Sequence, residues 1–298
     1  NKEAALSFST GFQSNLGAIP TVVGRSDVAI IDEQSHASII DATRLSFGRI
    51  LKYRHNDMAS LEKVLKNLGE NHSTDSLRLI VSDGLFSMEG DIAHVDKIVQ
   101  LAEKYNASVM IDDAHGLGVF GKNGSGTVSH FDLDGEVEMI VGTFSKSLAS
   151  IGGFIAGSNG LINYLQHNAR SLIFSASLPP ASAASVIAAL DIIENEPEHV
   201  AKLWKNTHHA IDRFKELKMD IGKSETPIIP VYIRDNDKAF IISKMLFDNG
   251  VFVNPVISPA VRPEDSLLRF SLMATHTTVQ IDDAIDKIYA AGKELGIY

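Results

Sequence analysis

Two short segments of the chain combine residue types that can do chemistry on a small molecule. Asp112-Asp113-Ala114-His115 closes the apolar run 108–112, and Lys146 lies among hydroxyl side chains in Thr143-Phe144-Ser145-Lys146-Ser147 after the run 139–142. Two carboxylates with an imidazole can bind a metal, and a lysine at a strand end can bind phosphate or form a Schiff base. Pyridoxal phosphate needs both a lysine and a carboxylate that keeps its ring nitrogen protonated. The two segments together therefore favour that cofactor.

Alternating strand and helix patterns surround both segments. The predicted strands are 28–31, 77–82, 108–112, 139–142 and 154–156, and the predicted helices between and after them include 37–46, 58–68, 96–105 and 180–194. The strands are apolar at successive positions, which indicates burial on both faces in a mostly parallel α/β sheet. Such sheets bind ligands beyond the carboxyl ends of their strands, where Asp112 and Lys146 both lie.

The pattern changes at Asn195-Glu196-Pro197-Glu198, where proline ends the preceding helix. Beyond it the sequence predicts strands around 228–233, 251–254 and 268–271 and helices over 198–217 and 277–295. We therefore predict a large domain over 1–196 and a smaller C-terminal α+β domain over 197–298.

Composition excludes several classes of protein. The chain has 298 residues and a formal net charge of −10, which argues against a general nucleic-acid binder. It contains no cysteine, which excludes disulfides, thiolate metal sites and thiol catalysis. No uninterrupted apolar run of about 18 residues occurs, so no transmembrane helix is predicted.

A glycine pattern in the chain imitates a dinucleotide-binding site. Gly116-Leu117-Gly118-Val119-Phe120-Gly121 matches G-x-G-x-x-G after a predicted strand. A dinucleotide site also needs a helix to begin there, because the helix N-terminus holds the pyrophosphate. Lys122-Asn123-Gly124-Ser125-Gly126 predicts a loop instead, so we predict no dinucleotide site.

Five motifs in order along the chain resemble the α-oxoamine synthases. The motifs are Ser35-His36-Ala37-Ser38, Phe86-Ser87-Met88-Glu89-Gly90-Asp91, Asp112-Asp113-Ala114-His115-Gly116, Thr143-Phe144-Ser145-Lys146 and Ala274-Thr275-His276-Thr277. Members of that family are fold-type I pyridoxal-phosphate enzymes with an aspartate aminotransferase-like fold. They condense an amino acid with an acyl-CoA and release carbon dioxide. The resemblance covers essentially the whole chain and implies a cytoplasmic homodimer with active sites at the interface. Peripheral contact with the inner membrane stays open.

Further stretches resemble the bacterial branch that joins L-serine to a long-chain acyl-CoA such as palmitoyl-CoA and yields 3-ketodihydrosphingosine. They are 8–15, 167–171, 195–199 with 203–206, and 251–255 with 258–261. Sister branches that use alanine with a pimeloyl thioester, or glycine with acetyl-CoA, share the same catalytic set and stay open as alternatives. A non-catalytic regulatory subunit of the same fold is a further alternative, although such a subunit is expected to lack the lysine.

The resemblance implies a role for each site residue. Lys146 carries the cofactor and later moves the α-proton, and Asp112 pairs with the ring nitrogen. His115 hydrogen-bonds the ring's phenolic oxygen, and His36 stacks on the ring. The residues implied in cofactor binding beyond these four are Thr143, Ser145, Gly11, Phe12, Ser87, Ser175 and Ala176. Ser175 and Ala176 match a segment that reaches the partner subunit's cofactor phosphate. Arg269 is implied to bind the substrate carboxylate, and no metal is implied.

Simpler explanations exist for several of these residues, and the sequence departs from the family at two places. Ser87 has the alternative of a turn residue, Arg269 of an ion pair, and His276 of a cap before the last helix. Many relatives have Glu where this chain has Asp83. Relatives also have a substantial segment before Gly11, so we expect that sequence upstream of Asn1 is missing.

Overall fold

The computed structural model describes residues 2–69 and 76–298. Its contacts divide the chain into two compact units. The first unit runs to Phe86 and resumes over Ile92–Pro197, and the second comprises Ser87–Asp91 and Glu198–Tyr298. The five residues Ser87–Asp91 thus belong to a unit whose other members follow more than a hundred residues later.

The first unit contains a seven-stranded, mostly parallel sheet, which confirms the predicted α/β class. Its strands are β1 (Ala4–Phe8), β2 (Val28–Asp32), β3 (Arg49–Tyr53), β4 (Arg78–Asp83), β5 (Ser108–Asp112), β6 (Met139–Thr143) and β7 (Gly153–Gly157). They are ordered β1-β7-β6-β5-β4-β2-β3. Strands β3, β2, β4, β5 and β6 run parallel, while β7 is antiparallel to β6 and to β1. The carboxyl ends of β4, β5 and β6 therefore meet at one edge of the sheet.

Helices cover both faces of this sheet. They are α1 (Gly11–Val22), α2 (Ala37–Leu45), α3 (Met58–Gly69), α4 (Val95–Tyr105), α5 (Thr127–His130), α6 (Asn159–Asn168), α7 (Arg170–Ile173) and α8 (Pro180–Asn195). Successive side chains of β2 enter two separate cores: Ala29 and Ile31 pack into one, and Val28 and Ile30 into the other. A strand buried on both faces is apolar at every position, which is why these strands were visible in the sequence.

Helix α1 and strand β3 were not predicted, and β7 runs opposite to the strands before it. Helix α1 begins at Gly11 and contains Pro20, two residues that disfavour helix. Strand β3 is a largely exposed edge strand that starts with Arg49, so its residues do not form an apolar run. Between β6 and β7 lie only residues 144–152, too few for the helical crossover that a parallel neighbour requires.

The second unit contains a three-stranded antiparallel sheet, in the order β8-β10-β9, and three long helices. These elements are α9 (Glu198–Glu216), β8 (Ile228–Tyr232), α10 (Asn236–Asp248), β9 (Asn254–Val256), β10 (Leu267–Ser271) and α11 (Thr278–Glu294). The strand expected over 251–254 begins only at Asn254. Val251 and Val253 are buried although they precede the paired residues, so their apolar character reflects burial and not strand pairing. Among the described residues, no helix has the length and apolarity needed to cross a bilayer.

Candidate active site

A cavity of about 340 Å³ opens at the carboxyl edge of the parallel strands. Its volume falls within the range of small-molecule sites, roughly 300–1,000 Å³. The residues that line it are Thr10, Gly11, Phe12, His36, Ser38, Asp83, Asp112, Ala114, His115, Gly142, Thr143, Ser145, Lys146, Ile151 and Gly152. Eight of the predicted site residues therefore line one cavity: Gly11, Phe12, His36, Asp112, His115, Thr143, Ser145 and Lys146.

The N-terminus of α1 closes one side of the cavity and is held tightly against the sheet. Thr10 caps this helix by accepting a hydrogen bond from the Gln13 N–H at 3.1 Å. A Cβ on Gly11 would lie 2.7 Å from Thr143 Cβ, and a Cβ on Gly153 would lie 2.6 Å from Gly11 Cα. Both positions therefore require glycine. This close approach brings the first N–H groups of α1 beside the end of β6, where they form a site for an anion.

The loop after β6 adds two hydroxyl groups and the lysine to this side of the cavity. Thr143 Oγ1 lies 2.8 Å from Ser145 Oγ, and the Ser145 N–H points at Thr143 Oγ1 at 3.3 Å. The loop turns back on itself, because the Ala149 N–H donates to Lys146 O and the Ser150 N–H to Phe144 O. Ala149 adopts a left-handed conformation with φ 46°, which is strained for a residue with a side chain. The fold thus holds Lys146 on a fixed turn.

Asp112, at the end of the neighbouring strand β5, is buried and receives two hydrogen bonds. The Ala114 N–H donates to Asp112 Oδ1 at 3.0 Å, and Asn15 Nδ2 donates to Asp112 Oδ2 at 2.6 Å. Each oxygen of this carboxyl group thus has a donor that fixes its orientation. Asn15 lies in the stretch 8–15, from which the sequence predicts no role for its side chain. Without knowing that α1 is a helix, the side chain at position 15 cannot be placed against β5.

His36 lies at the start of α2 and is anchored on both its backbone and its ring. Its backbone N–H donates to Asp83 Oδ2 at 3.0 Å, and its ring Nδ1 accepts from the Ser38 N–H at 3.2 Å. Burial lowers the pKa of His36, Asp112 raises it, and Lys146 lowers it. The ring is therefore held in place and its neutral form is favoured.

Asp83 is a second buried carboxyl group beside the cavity. It ends β4 and pairs in register with Asp112 at the end of β5. Burial raises the pKa of Asp83 well above its usual value, and the charge of Asp112 raises it further, whereas the hydrogen bond from the His36 N–H lowers it. Burial and the neighbouring carboxylate thus both favour the neutral form of Asp83.

Asp113 points away from the cavity, although it is adjacent to Asp112 in the sequence. Its two oxygens accept from Thr127 Oγ1 and from the Thr127 N–H, each at 2.8 Å. Burial raises the pKa of Asp113 to about 6, and the bonds from Thr127 lower it in part. Asp113 therefore fastens the segment before α5, and the metal site considered for Asp112, Asp113 and His115 is not formed by these three side chains.

Ser175 and Ala176 follow α7 and contact the segment around the start of α1. Gln13 Nε2 donates to Ser175 Oγ at 2.9 Å, and the Ser9 hydroxyl donates to the Ala176 carbonyl. Neither residue lines the cavity of its own chain. Their expected contact with a partner subunit's cofactor stays a prediction.

The remaining predicted residues lie in the second unit. Arg269 Nε donates to Ser87 O at 2.7 Å, and Arg269 Nη1 donates to Ser271 Oγ at 2.9 Å. Burial lowers the pKa of Arg269. Its Nη2 group has no partner among the described residues, so one edge of the guanidinium is available to a ligand. His276 Nδ1 accepts from the Met273 N–H at 3.2 Å. The cap of α11 considered for His276 is provided by Thr277 instead.

The donor set of the cavity fits pyridoxal phosphate. Glycine at positions 11 and 153 leaves room for a phosphate beside the α1 N-terminus, where Thr143 and Ser145 add hydroxyl groups. The Asp112 carboxyl group, oriented by two donors, suits a protonated ring nitrogen. Lys146 lines the same space and supplies the amine. The phosphate, the ring nitrogen and the aldehyde of the cofactor thus each have a suitable partner on this chain.

Known proteins resemble the chain over nearly its whole length. A family model for class I and II aminotransferases matches residues 1–288. A serine palmitoyltransferase of Sphingobacterium spiritivorum is 55% identical over 296 residues, which are 99% of this chain and 73% of that protein. An 8-amino-7-oxononanoate synthase of Bacillus velezensis is 46% identical over 293 residues, which are 98% of this chain and 74% of that protein. The solved serine palmitoyltransferase from S. paucimobilis with a bound PLP–myriocin aldimine has a TM-score of 0.94 at 33% identity, covering 100% of this chain and 74% of that one.

Proposed function

Because the chain belongs to the class I and II aminotransferase family and, within it, to the α-oxoamine synthases, we propose that it condenses L-serine with a long-chain acyl-CoA. The reaction releases CoA and carbon dioxide and yields 3-ketodihydrosphingosine when the acyl group is palmitoyl. One observation carries the proposed chemistry: Lys146 and Asp112, whose carboxyl group accepts from Asn15, face the same cavity. The choice of serine is supported by 55% identity to a serine palmitoyltransferase, against 46% to an 8-amino-7-oxononanoate synthase.

In this proposal, different residues of the chain bind the cofactor and transfer protons. Bound pyridoxal phosphate supplies an electron sink that stabilises a carbanion at the amino acid's Cα. Thr143, Ser145 and the first N–H groups of α1 bind the phosphate. Asp112 holds the proton on the ring nitrogen. Lys146 Nζ removes the proton from the Cα of the amino acid and later gives a proton back to that carbon.

Three further residues orient the reactants in this proposal. His36 packs on the ring, since Ser38 fixes its ring nitrogen at the edge of the cavity. His115, which also lines the cavity, hydrogen-bonds the ring oxygen. Arg269 binds the substrate carboxylate through its available Nη2 edge, an arrangement that suits a guanidinium.

We further propose that the enzyme acts as a cytoplasmic homodimer. Helix α8 is rich in apolar residues, yet among its described residues Val186 alone is buried. Ile187 is 61% exposed and Ile192 is 44% exposed on this helix, and Phe174 before it is 78% exposed. Apolar patches of this kind mark protein contacts. Sedimentation equilibrium tests the proposal, which a purely monomeric particle would contradict.

Product analysis with paired substrates tests the choice of reaction. The chain loaded with pyridoxal phosphate is given serine with palmitoyl-CoA, alanine with pimeloyl-CoA, or glycine with acetyl-CoA, and products are identified by mass. We expect kcat/KM for the serine reaction to exceed the others by about tenfold or more. Faster formation of 8-amino-7-oxononanoate from alanine would assign the chain to that sister activity instead.

A further inference from the structure

A run of hydrogen bonds joins the carboxylate of the cavity to its imidazole. Asn15 Nδ2 lies 2.6 Å from Asp112 Oδ2 and 2.8 Å from Ser38 Oγ. Ser38 Oγ lies 2.7 Å from His36 Nδ1, and the Ser38 N–H points at the same ring atom at 3.2 Å. The run thus passes from β5 through α1 to the first turn of α2.

Donor and acceptor chemistry sets the direction of each proton in this run. An amide nitrogen only donates and an ionised carboxylate only accepts, so Asn15 gives one N–H to Asp112 and the other to Ser38. The Ser38 backbone N–H can only donate, so His36 Nδ1 accepts from it, and the Ser38 hydroxyl beside the same ring atom donates to it as well. That ring atom therefore carries no proton, and the ring proton lies on Nε2. The reverse amide orientation would place Asn15 Oδ1 against a carboxylate oxygen, which is repulsive.

We propose that Asn15 is a positioning residue that couples Asp112 to His36 through Ser38, and that it fixes the orientation of the carboxylate and holds the imidazole in its Nε2–H form. The inference rests on the proposed function, which gives Asp112 and His36 their roles toward the cofactor. An ionised Asp112 is the form that holds a proton on a ring nitrogen. A neutral His36 packs on a ring without placing another cation near Lys146.

The contacts of Asn15 are made by the N–H groups of its amide and not by the amide oxygen. Asn15 is 1% exposed, and its Oδ1 has no hydrogen-bond partner among the described residues. A buried acceptor without a partner costs free energy, so stability alone would favour an apolar side chain here. The two N–H groups, which reach Asp112 and Ser38, are the part of this side chain that the site needs. The lowered pKa of His36 agrees with a neutral ring.

Two pairs of variants test the coupling. Asn15→Leu keeps the size of the side chain and removes both donors. Its matched control is Ser14→Ala on the same helix, since the buried Ser14 hydroxyl donates only to Thr10 O within the described residues. Ser38→Ala removes the hydroxyl and keeps the bond from Asn15 to Asp112, and Ser38→Thr restores a hydroxyl.

Two measurements separate the effects. The dissociation constant of pyridoxal phosphate is measured by titration of the apo chain. We expect a rise of about 10- to 100-fold for Asn15→Leu, the range for a hydrogen bond to a charged group, and less than about threefold for Ser38→Ala. The ¹⁵N signals of His36 are recorded on the apo chain after histidine labelling and are assigned by their absence in His36→Gln. We expect a single Nε2–H tautomer in the parent chain, a mixture in Asn15→Leu and Ser38→Ala, and the parent pattern in Ser14→Ala and Ser38→Thr.

The cofactor affinities and the His36 signals of the variants either support or contradict the coupling. Parent-like cofactor affinity and parent-like His36 signals in Asn15→Leu would overturn the coupling. If Asn15→Leu does not fold, the Ser38 variants provide the test. Identical His36 signals in Ser38→Ala and Ser38→Thr would then also overturn the coupling. The histidine signals need no cofactor, so failure of the proposed function would appear separately, as a parent chain that binds no pyridoxal phosphate while its His36 tautomer is as expected.

Discussion

Lys146→Ala is expected to lower kcat by about 10³-fold or more, since it removes both the amine that carries the cofactor and the base that moves the Cα proton. No other lysine lines the described cavity, so none is placed to replace it. The rate is measured as product formed from serine and palmitoyl-CoA. In the parent chain, borohydride reduction followed by peptide mass analysis should find the cofactor attached to Lys146. In Lys146→Ala it should find no attached cofactor.

Two controls distinguish the loss of the amine from the loss of a positive charge. Lys146→Arg keeps the charge, but a guanidinium stays protonated and is a poor nucleophile, so an equally large loss of activity is expected. Lys205→Ala removes an exposed lysine of α9 and should leave the rate unchanged. Undiminished product formation by Lys146→Ala would contradict the role assigned to this residue.

Much of the sheet and several residues of the site were predictable for a common physical reason. Strands buried on both faces are apolar at successive positions, so the run 108–112 coincides with β5 and the run 77–82 with all but the end of β4. Because parallel strands end at the same edge of a sheet, the polar residues that follow such runs meet there. Asp112 and Lys146 could therefore be assigned to one site before any side chain was placed.

The residues that the sequence did not reveal depend on contacts between distant parts of the chain. Helix α1 starts at a glycine and contains a proline, so local propensity gives little sign of it, and the contact of Asn15 with Asp112 is invisible without that helix. The bond from Arg269 to Ser87 joins residues separated by more than half the chain. Asp112 and Asp113 look equivalent in the sequence. Only the position of Thr127 shows that one carboxylate faces the cavity and the other does not.

Because only one of these neighbouring carboxylates faces the cavity, substitution of Asp112 is expected to lower turnover strongly. Asp112→Asn should lower kcat by about 10²–10³-fold, the range for loss of one preorganised electrostatic contact in an active site. An amide carries no negative charge and cannot hold the ring nitrogen protonated, so the electron sink is weakened while the phosphate contacts at Thr143 and Ser145 persist. Attachment of the cofactor to Lys146 should therefore survive the substitution, and exchange of the serine Cα proton with deuterium should slow by the same factor as turnover.

Asp113→Asn is the matched control for this experiment, because it makes the same chemical change one residue further along the chain. Both Asp113 oxygens accept from Thr127, so the expected effect is on folding stability, with little change in proton exchange on active, folded protein. Thermal unfolding and cofactor titration are measured for both variants. If Asp112→Asn exchanged the Cα proton at the parent rate, or if Asp113→Asn slowed it equally, Asp112 would lose its assigned role. A slow Asp112→Asn beside a normal Asp113→Asn would show that the charge must lie at the cavity, where Asn15 donates to it, and not merely at the end of the strand.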